Sequence, residues 1–513
     1  MADEVKHAAS ARDDVVDDKE QLTVNAAGTV VDHGLHRQLK QRQMNMIALG
    51  GVIGASIWYG VGALVCFIIM GINIFFVMQC IGELATLYPS AGAFTEHCGR
   101  FVDGSVAVSL GWNYWYLWAI NLAAEYNLIA VVLGYWTDKV PDYGWILMAW
   151  AFYQGIGLLG IIVFGEVEFW LALIKIVFVL VTFLLSILCN TGAIGGDYVG
   201  FRYWSNPGPV INGINGFGKS FVLSAVYYSG TELVAITAGE SRNPHRAVPS
   251  AIRKTLYRVV FIYWGIMFFA SIAVSARDED LLTGTSRAGA SPFAIMLQHA
   301  GWKHGPDLIN AFIFIATFSA SNSSIYIASR TLKALADQRR APNIRSIASN
   351  LVGLIGLTTI SEGGGKVFGY LTTLIGAGSL IAWSLIGITH LRFRKAWRLQ
   401  GFTEKDLPFK AFLYPYGTWI VAIFNPFLVI IQGYATLLTP WSPVDFVFSY
   451  VILVLFVVLT VFWKLYHKTK LVDLATVNLH EGRREVLAQD DDEERPGLTR
   501  RAMNAVRSRL SSS

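Results

Sequence analysis

The chain of 513 residues is 54% hydrophobic and only 15% charged. A soluble domain carries about 25% charge, so the composition excludes a water-soluble enzyme and points to a protein that crosses the membrane many times. The net charge of +5 decides little, because in such a protein the placement of charge matters more than its sum.

Residues 1–36 are polar, with acidic patches at Asp13-Asp14 and Asp17-Asp18-Lys19-Glu20, and read as a disordered tail. No cleavable signal peptide is expected, since the first apolar run follows these polar residues directly. The basic RQLKQRQ at 37–43 sits just before that run and sets the N terminus in the cytoplasm. Twelve apolar spans follow, at about 44–60, 62–86, 106–136, 144–164, 167–189, 216–239, 256–276, 307–336, 347–361, 368–392, 414–438 and 443–466. The segments this places inside hold 23 Lys and Arg, against seven in the outside loops. That asymmetry puts both termini in the cytoplasm. The expected division is a cytoplasmic N-terminal tail (1–43), a transmembrane domain (44–470) and a cytoplasmic C-terminal tail (471–513). The tail holds an acidic run, Asp490 to Glu494, and a basic RRAMNAVRSRL that reads as solvated rather than membrane-bound.

Two spans are interrupted. Span 6 carries Ser229-Gly230-Thr231-Glu232 in the middle of its apolar run and ends at Gly239-Glu240. A carboxylate at mid-bilayer depth costs roughly 2.5–3.5 kcal/mol on insertion scales, and Gly-Thr beside it weakens the helix. Span 1 carries Gly50-Gly51-Val52-Ile53-Gly54-Ala55-Ser56, five spans earlier. Breaks at corresponding places in two halves are the sequence pointer to an inverted-repeat transporter with its site at the breaks. The competing reading of such glycines is close helix packing alone.

Cys66, Cys80, Cys98 and Cys189 are scattered, without metal spacing, and read as packing residues. No nucleophile–base motif, phosphate-binding loop or metal-ligand cluster appears in the sequence. No enzymatic activity, metal or cofactor is expected, and no nucleic-acid partner.

Seven motifs in order carry a resemblance: GGVIGASIWYG in span 1, IGELATLYPSAGAF at 81–94, GWNYWYLW at 111–118, EFWLALIKI at 168–176, YYSGTELVAITAGESRNPHRAVPSAI at 227–252, YIASRTLKALA at 326–336, and the LRFRKA…QG…DLPFK run at 391–410. Over residues 36–470 the chain resembles fungal-type amino acid permeases of the amino acid–polyamine–organocation (APC) superfamily. The resemblance implies an all-α polytopic fold of twelve transmembrane helices, a 5+5 inverted repeat with broken helices 1 and 6, plus helices 11 and 12. It also implies proton-coupled uptake of an amino acid across the plasma membrane. The alternatives are a sodium-independent exchanger of amino acids or polyamines, and a non-transporting nutrient sensor or inactive paralogue. The sequence departs from the family pattern at the 337–346 loop and at Gly60, where span 1 runs almost directly into span 2. A regular helix from Met44 to Gly60 covers only about 25 Å, less than a ~30 Å hydrocarbon core.

An amino acid is a zwitterion, so its site must offer something to each end. Backbone N–H groups beyond the span 1 break, at Gly54 to Ser56, can receive the carboxylate. Carbonyls freed around Val52, Ile53, Tyr228 and Ser229 suit the ammonium. Lys175 lies amid apolar residues near the middle of span 5 and must be neutralised, paired or facing a cavity. It matches a family lysine held to act in proton coupling; the competing reading is a structural lysine paired with Glu232 or Glu125. Glu125 in span 3 is either a contact for the ammonium or proton, or a structural ion-pair member. Glu83 and Glu240, at span ends, read as partners for loop arginines such as Arg246 and Arg330. Side-chain selectivity is expected from Tyr227 and Thr231, from the Ser319–Ser324 run including Ser321, and from Gly376 to Ser379 with Trp383. The Asn322-Ser323-Ser324 sequon lies inside span 8 and is discounted. The candidate substrate-binding set is thus Val52, Ile53, Gly54, Ala55, Ser56, Glu125, Tyr228, Ser229, Gly230, Thr231, Glu232, Ser321 and Ser379, with Lys175 and Glu232 for proton coupling.

Overall fold

The computed structural model describes residues 60–483, except 91, 159–160, 207, 209–212, 240–243, 279–290, 342–346, 359–363 and 439–440, together with the backbone of 23–24 and 30–31. The first 36 residues form a unit of their own. In it, β1 (Thr23–Val24) and β2 (Val30–Val31) pair antiparallel. The rest of the described chain is helix and loop.

The helices follow the apolar pattern. Span 1 lies outside the described residues. From span 2 onward they are α1 (Gly60–Leu87), α3 (Gly104–Trp136) after the short α2 (Ala93–Phe101), α4 (Asp142–Leu158) and α5 (Ile161–Asn190). After α6 (Arg202–Ser205), span 6 becomes two pieces, α7 (Gly213–Tyr228) and α8 (Leu233–Gly239). Helix begins well before the apolar run of span 7: α9 (Pro244–Arg258) leads through a π-helical turn at Val259–Trp264 into α10 (Gly265–Ala273). Then come α11 (Pro292–His299), α12 (Gly305–Asp337), α13 (Ile347–Val352) with a 3₁₀ turn, and α14 (Gly364–Leu399). Helices α15 (Tyr416–Ile431) and α16 (Pro443–His467) complete the set. Among the described residues, seven helical stretches are long and apolar enough to cross a membrane.

Burial sorts the helices into inner and outer. Of the most apolar stretch of α14, 89% is buried, whereas for α16 the share is 11%. An apolar helix left uncovered has the lipid as its partner, so α16 faces outward and α14 is core. Helix α3 is the hub: it packs most extensively on α12, then on α14, α4 and α16. Large rings fill the centre, among them Tyr114, Tyr228, Phe67 and Trp383.

At the end where α1 stops and α3 starts, polar chemistry fixes the geometry. Asp103 caps α3, accepting from the Ser105 N–H at 2.8 Å, from Lys464 of α16 at 2.8 Å and from the Thr469 hydroxyl at 2.8 Å. Burial would raise its pKa, but these donors outweigh it and pull the carboxyl down to about 2. Glu83 is met by Arg394 of α14 at 2.9 Å, His390 at 3.0 Å and the Ala411 N–H at 2.8 Å. Arg394 lies just past the expected end of span 10, so the partner is an arginine of the kind expected, though not Arg246 or Arg330; Glu240 lies outside the described residues.

The segment after α16 is docked rather than free. Lys468 takes a left-handed turn (φ 51°) and the chain runs back over this end of the bundle. Val472 donates to the Val102 carbonyl at 2.9 Å, Tyr88 donates to the Leu479 carbonyl at 2.8 Å, and Gln400 donates to the Val477 carbonyl at 2.7 Å. Leu474 and Leu479 sit in an apolar cluster with Leu84, Phe101, Phe393 and Trp397.

Candidate functional site

The break in span 6 is real backbone, four residues long. Helix α7 stops at Tyr228 and α8 begins at Leu233. Gly230 sits at φ 89°, a left-handed conformation that residues with a Cβ resist. The turn is closed locally: the Thr231 N–H and hydroxyl reach the Tyr228 carbonyl at 3.3 and 3.0 Å, and Leu233 N–H reaches Gly230 O at 3.3 Å. Of the two carbonyls expected to be freed here, Tyr228 therefore already has donors.

Glu232 ends the break, wholly buried. Its carboxylate accepts from the Tyr114 hydroxyl of α3 at 2.9 Å, the Gly230 N–H at 3.1 Å and the Trp383 indole N–H of α14 at 3.3 Å. All three donors are neutral, and among the described residues no cation contacts it. Beside it, the Ser379 hydroxyl of α14 donates to Ser229 at 3.0 Å, so α14 touches both ends of the break. The Tyr228 hydroxyl turns the other way, donating to the Phe67 carbonyl of α1 at 2.8 Å.

Lys175 belongs to a second group of buried charges. The carboxylate it meets is Glu168, two turns back on the same helix, at 3.6 Å. Its ammonium donates to Ser319 of α12 at 2.6 Å, and the Ser319 hydroxyl in turn donates to Glu168 at 2.7 Å. Asn322 adds a bond to Glu168 at 3.3 Å. All four of these side chains are buried. Glu125 lies within Coulombic reach of Lys175.

The structure therefore brings Ser229, Gly230, Glu232 and Ser379 together, and puts Lys175 with Glu168 and Glu125. Ser321 bonds back along its own helix to Thr317 at 3.1 Å. Val52, Ile53, Gly54, Ala55 and Ser56 lie outside the described residues. Sequence reasoning missed Glu168 and Tyr114, although both stand in quoted motifs. Glu168 had a signal: seven residues separate it from Lys175, which puts both on one helix face.

A multi-pass all-α membrane protein with a helix broken at a buried carboxylate has the build of a secondary transporter. Its fold is shared with a crystallised manganese transporter of Eremococcus coleocola: TM-score 0.50 and 13% identity over 83% of this chain and 94% of that one. Residues 43–475 match the model of the amino acid permease family. A general amino acid permease of Saccharomyces cerevisiae, AGP3, is 38% identical over 91% of this chain and 88% of its own. The lysine-specific permease of the same yeast is 34% identical, over 90% and 81%. The lysine-specific permease LysP of Lactococcus lactis is 32% identical, over 90% and 96%. The chain belongs to the amino acid permease family.

Proposed function

We propose that this protein takes up an amino acid across the plasma membrane, coupled to protons, by alternating access. The observation that carries the reading is Glu232: a buried carboxylate at a glycine break, supplied with neutral donors and, among the described residues, no cation. An α-ammonium is the cation such a site lacks. Relatives named as general and as lysine-specific permeases make an amino acid the substrate class. Its carboxylate goes to the N–H groups of Gly54 to Ser56, with Val52 and Ile53 across the break. The Lys175–Ser319–Glu168 chain, with Glu125 near it, is a buried run of exchangeable protons in hydrogen-bond contact. It supports proton coupling.

Substrate and proton bind from outside; the outer side then closes and the cytoplasmic side opens, both termini lying there. One proton moving down 100 mV supplies about 2.3 kcal/mol, roughly fifty-fold accumulation. Purified protein in liposomes tests this. A symporter accumulates labelled amino acid when an inward pH gradient is imposed on empty vesicles. Uptake that ignores the gradient but requires preloaded unlabelled amino acid would overturn proton coupling in favour of exchange.

A further inference from the structure

Arg258 closes α9 just where the helix passes into the π turn Val259–Trp264, and only 2% of its surface is exposed. Its guanidinium lies 5.7 Å from the centre of the Tyr263 ring, yet Nε and Nη2 are buried without a hydrogen-bond partner among the described residues. Arginine cannot shed its proton in a protein, and a buried charge without an opposite one is strongly disfavoured. Two buried carboxylates of the bundle are already committed: Glu168 to Lys175, Ser319 and Asn322, and Glu232 to its three donors. Arg258 also lies within Coulombic reach of Lys175 and of the Tyr228 hydroxyl at the end of α7. Glu125, a third buried carboxylate, lies within Coulombic reach of Lys175. The π turn fits this picture, because such single turns recur at functional sites.

We propose that Arg258 binds the substrate's carboxylate on the α9 side of the break, as a second carboxylate site after the N–H groups of span 1. The mobile anion neutralises Arg258 in passing. Planar two-point contact with a carboxylate is what guanidinium offers and lysine does not. This inference rests on the transport reading above and concerns how the substrate leaves the break.

The test uses the full chain in liposomes. Uptake of each of the twenty amino acids identifies the carried one; inhibition by that amino acid and by its decarboxylated amine is then measured on wild type, Arg258→Met and Arg258→Lys. Arg258→Met is expected to raise the half-saturating amino acid concentration at least ten-fold, and Arg258→Lys several-fold. The amine should inhibit both variants at least as well as wild type. If Arg258→Met does not reach the membrane, Arg258→Lys carries the same reading. Half-saturation within two-fold of wild type overturns the inference, as does an equal loss of amino acid and amine, which would make Arg258 a structural residue. Wild type that takes up none of the twenty sinks the transport reading itself, a separate failure.

Discussion

Glu232 and Glu168 are both buried carboxylates, but their partners set them apart. Glu232 has only neutral donors among the described residues, so replacing it with an isosteric amide removes charge while keeping volume. Glu232→Gln should therefore reach the membrane folded and lose pH-driven uptake; wild-type rates at acidic pH would remove this residue from the mechanism. Glu168 is held against Lys175, so breaking that pair strands a charge. Lys175→Ala should destabilise by about 3–5 kcal/mol. The double variant Lys175→Met/Glu168→Gln should recover most of the unfolding temperature in detergent, yet still fail to couple uptake to a pH gradient. Recovery of coupling together with stability would show that the pair is architecture alone. The sequence made Lys175 legible because a cation amid apolar neighbours stands out. Its partner was less legible, because acids on other spans compete for a lysine in the linear pattern, whereas Glu168 sits two turns along the same helix.

At the scale of elements, the break between α7 and α8 was readable from Gly-Thr-Glu inside an apolar run, and the backbone bends there. What makes it possible is one residue, Gly230 at φ 89°. Alanine in the left-handed region costs about 1–2 kcal/mol, whereas asparagine visits it routinely. Gly230→Ala should lower the unfolding temperature and slow uptake, and Gly230→Asn should do so by clearly less. Equal effects of the two would mean that space, rather than backbone conformation, is what glycine provides. The π turn after Arg258 was not legible. Val259–Trp264 contains neither Gly nor Pro, so nothing in the residue types announces an extra residue in the turn. Such a turn arises from packing between helices, which a linear pattern does not contain.

For the whole molecule, the apolar runs from the second span onward predicted helical backbone, and the lipid-facing and core helices separate by burial as amphipathicity arguments require. The fate of the chain after α16 was hidden. Residues 471–483 look like the start of a polar tail, yet their few apolar side chains find a specific cluster. Leu479 is wholly buried there, while Leu471, eight residues earlier, is 59% exposed. Leu479→Ala should destabilise by about 2–4 kcal/mol and Leu471→Ala by no more than about 0.5 kcal/mol. Thermal unfolding of the two variants checks it; equal shifts would mean that the docked segment adds nothing to stability.

That docking has a temporal side. The Tyr88 hydroxyl and the Leu479 carbonyl are joined across 391 residues of sequence. During synthesis, the surface made by Leu84 and Phe101 therefore waits uncovered until the residues up to Leu479 have been made. A chain cut before Leu474 displays a greasy patch that the docked stretch conceals. The docked stretch thus makes a late-made segment the cover of an early-made surface.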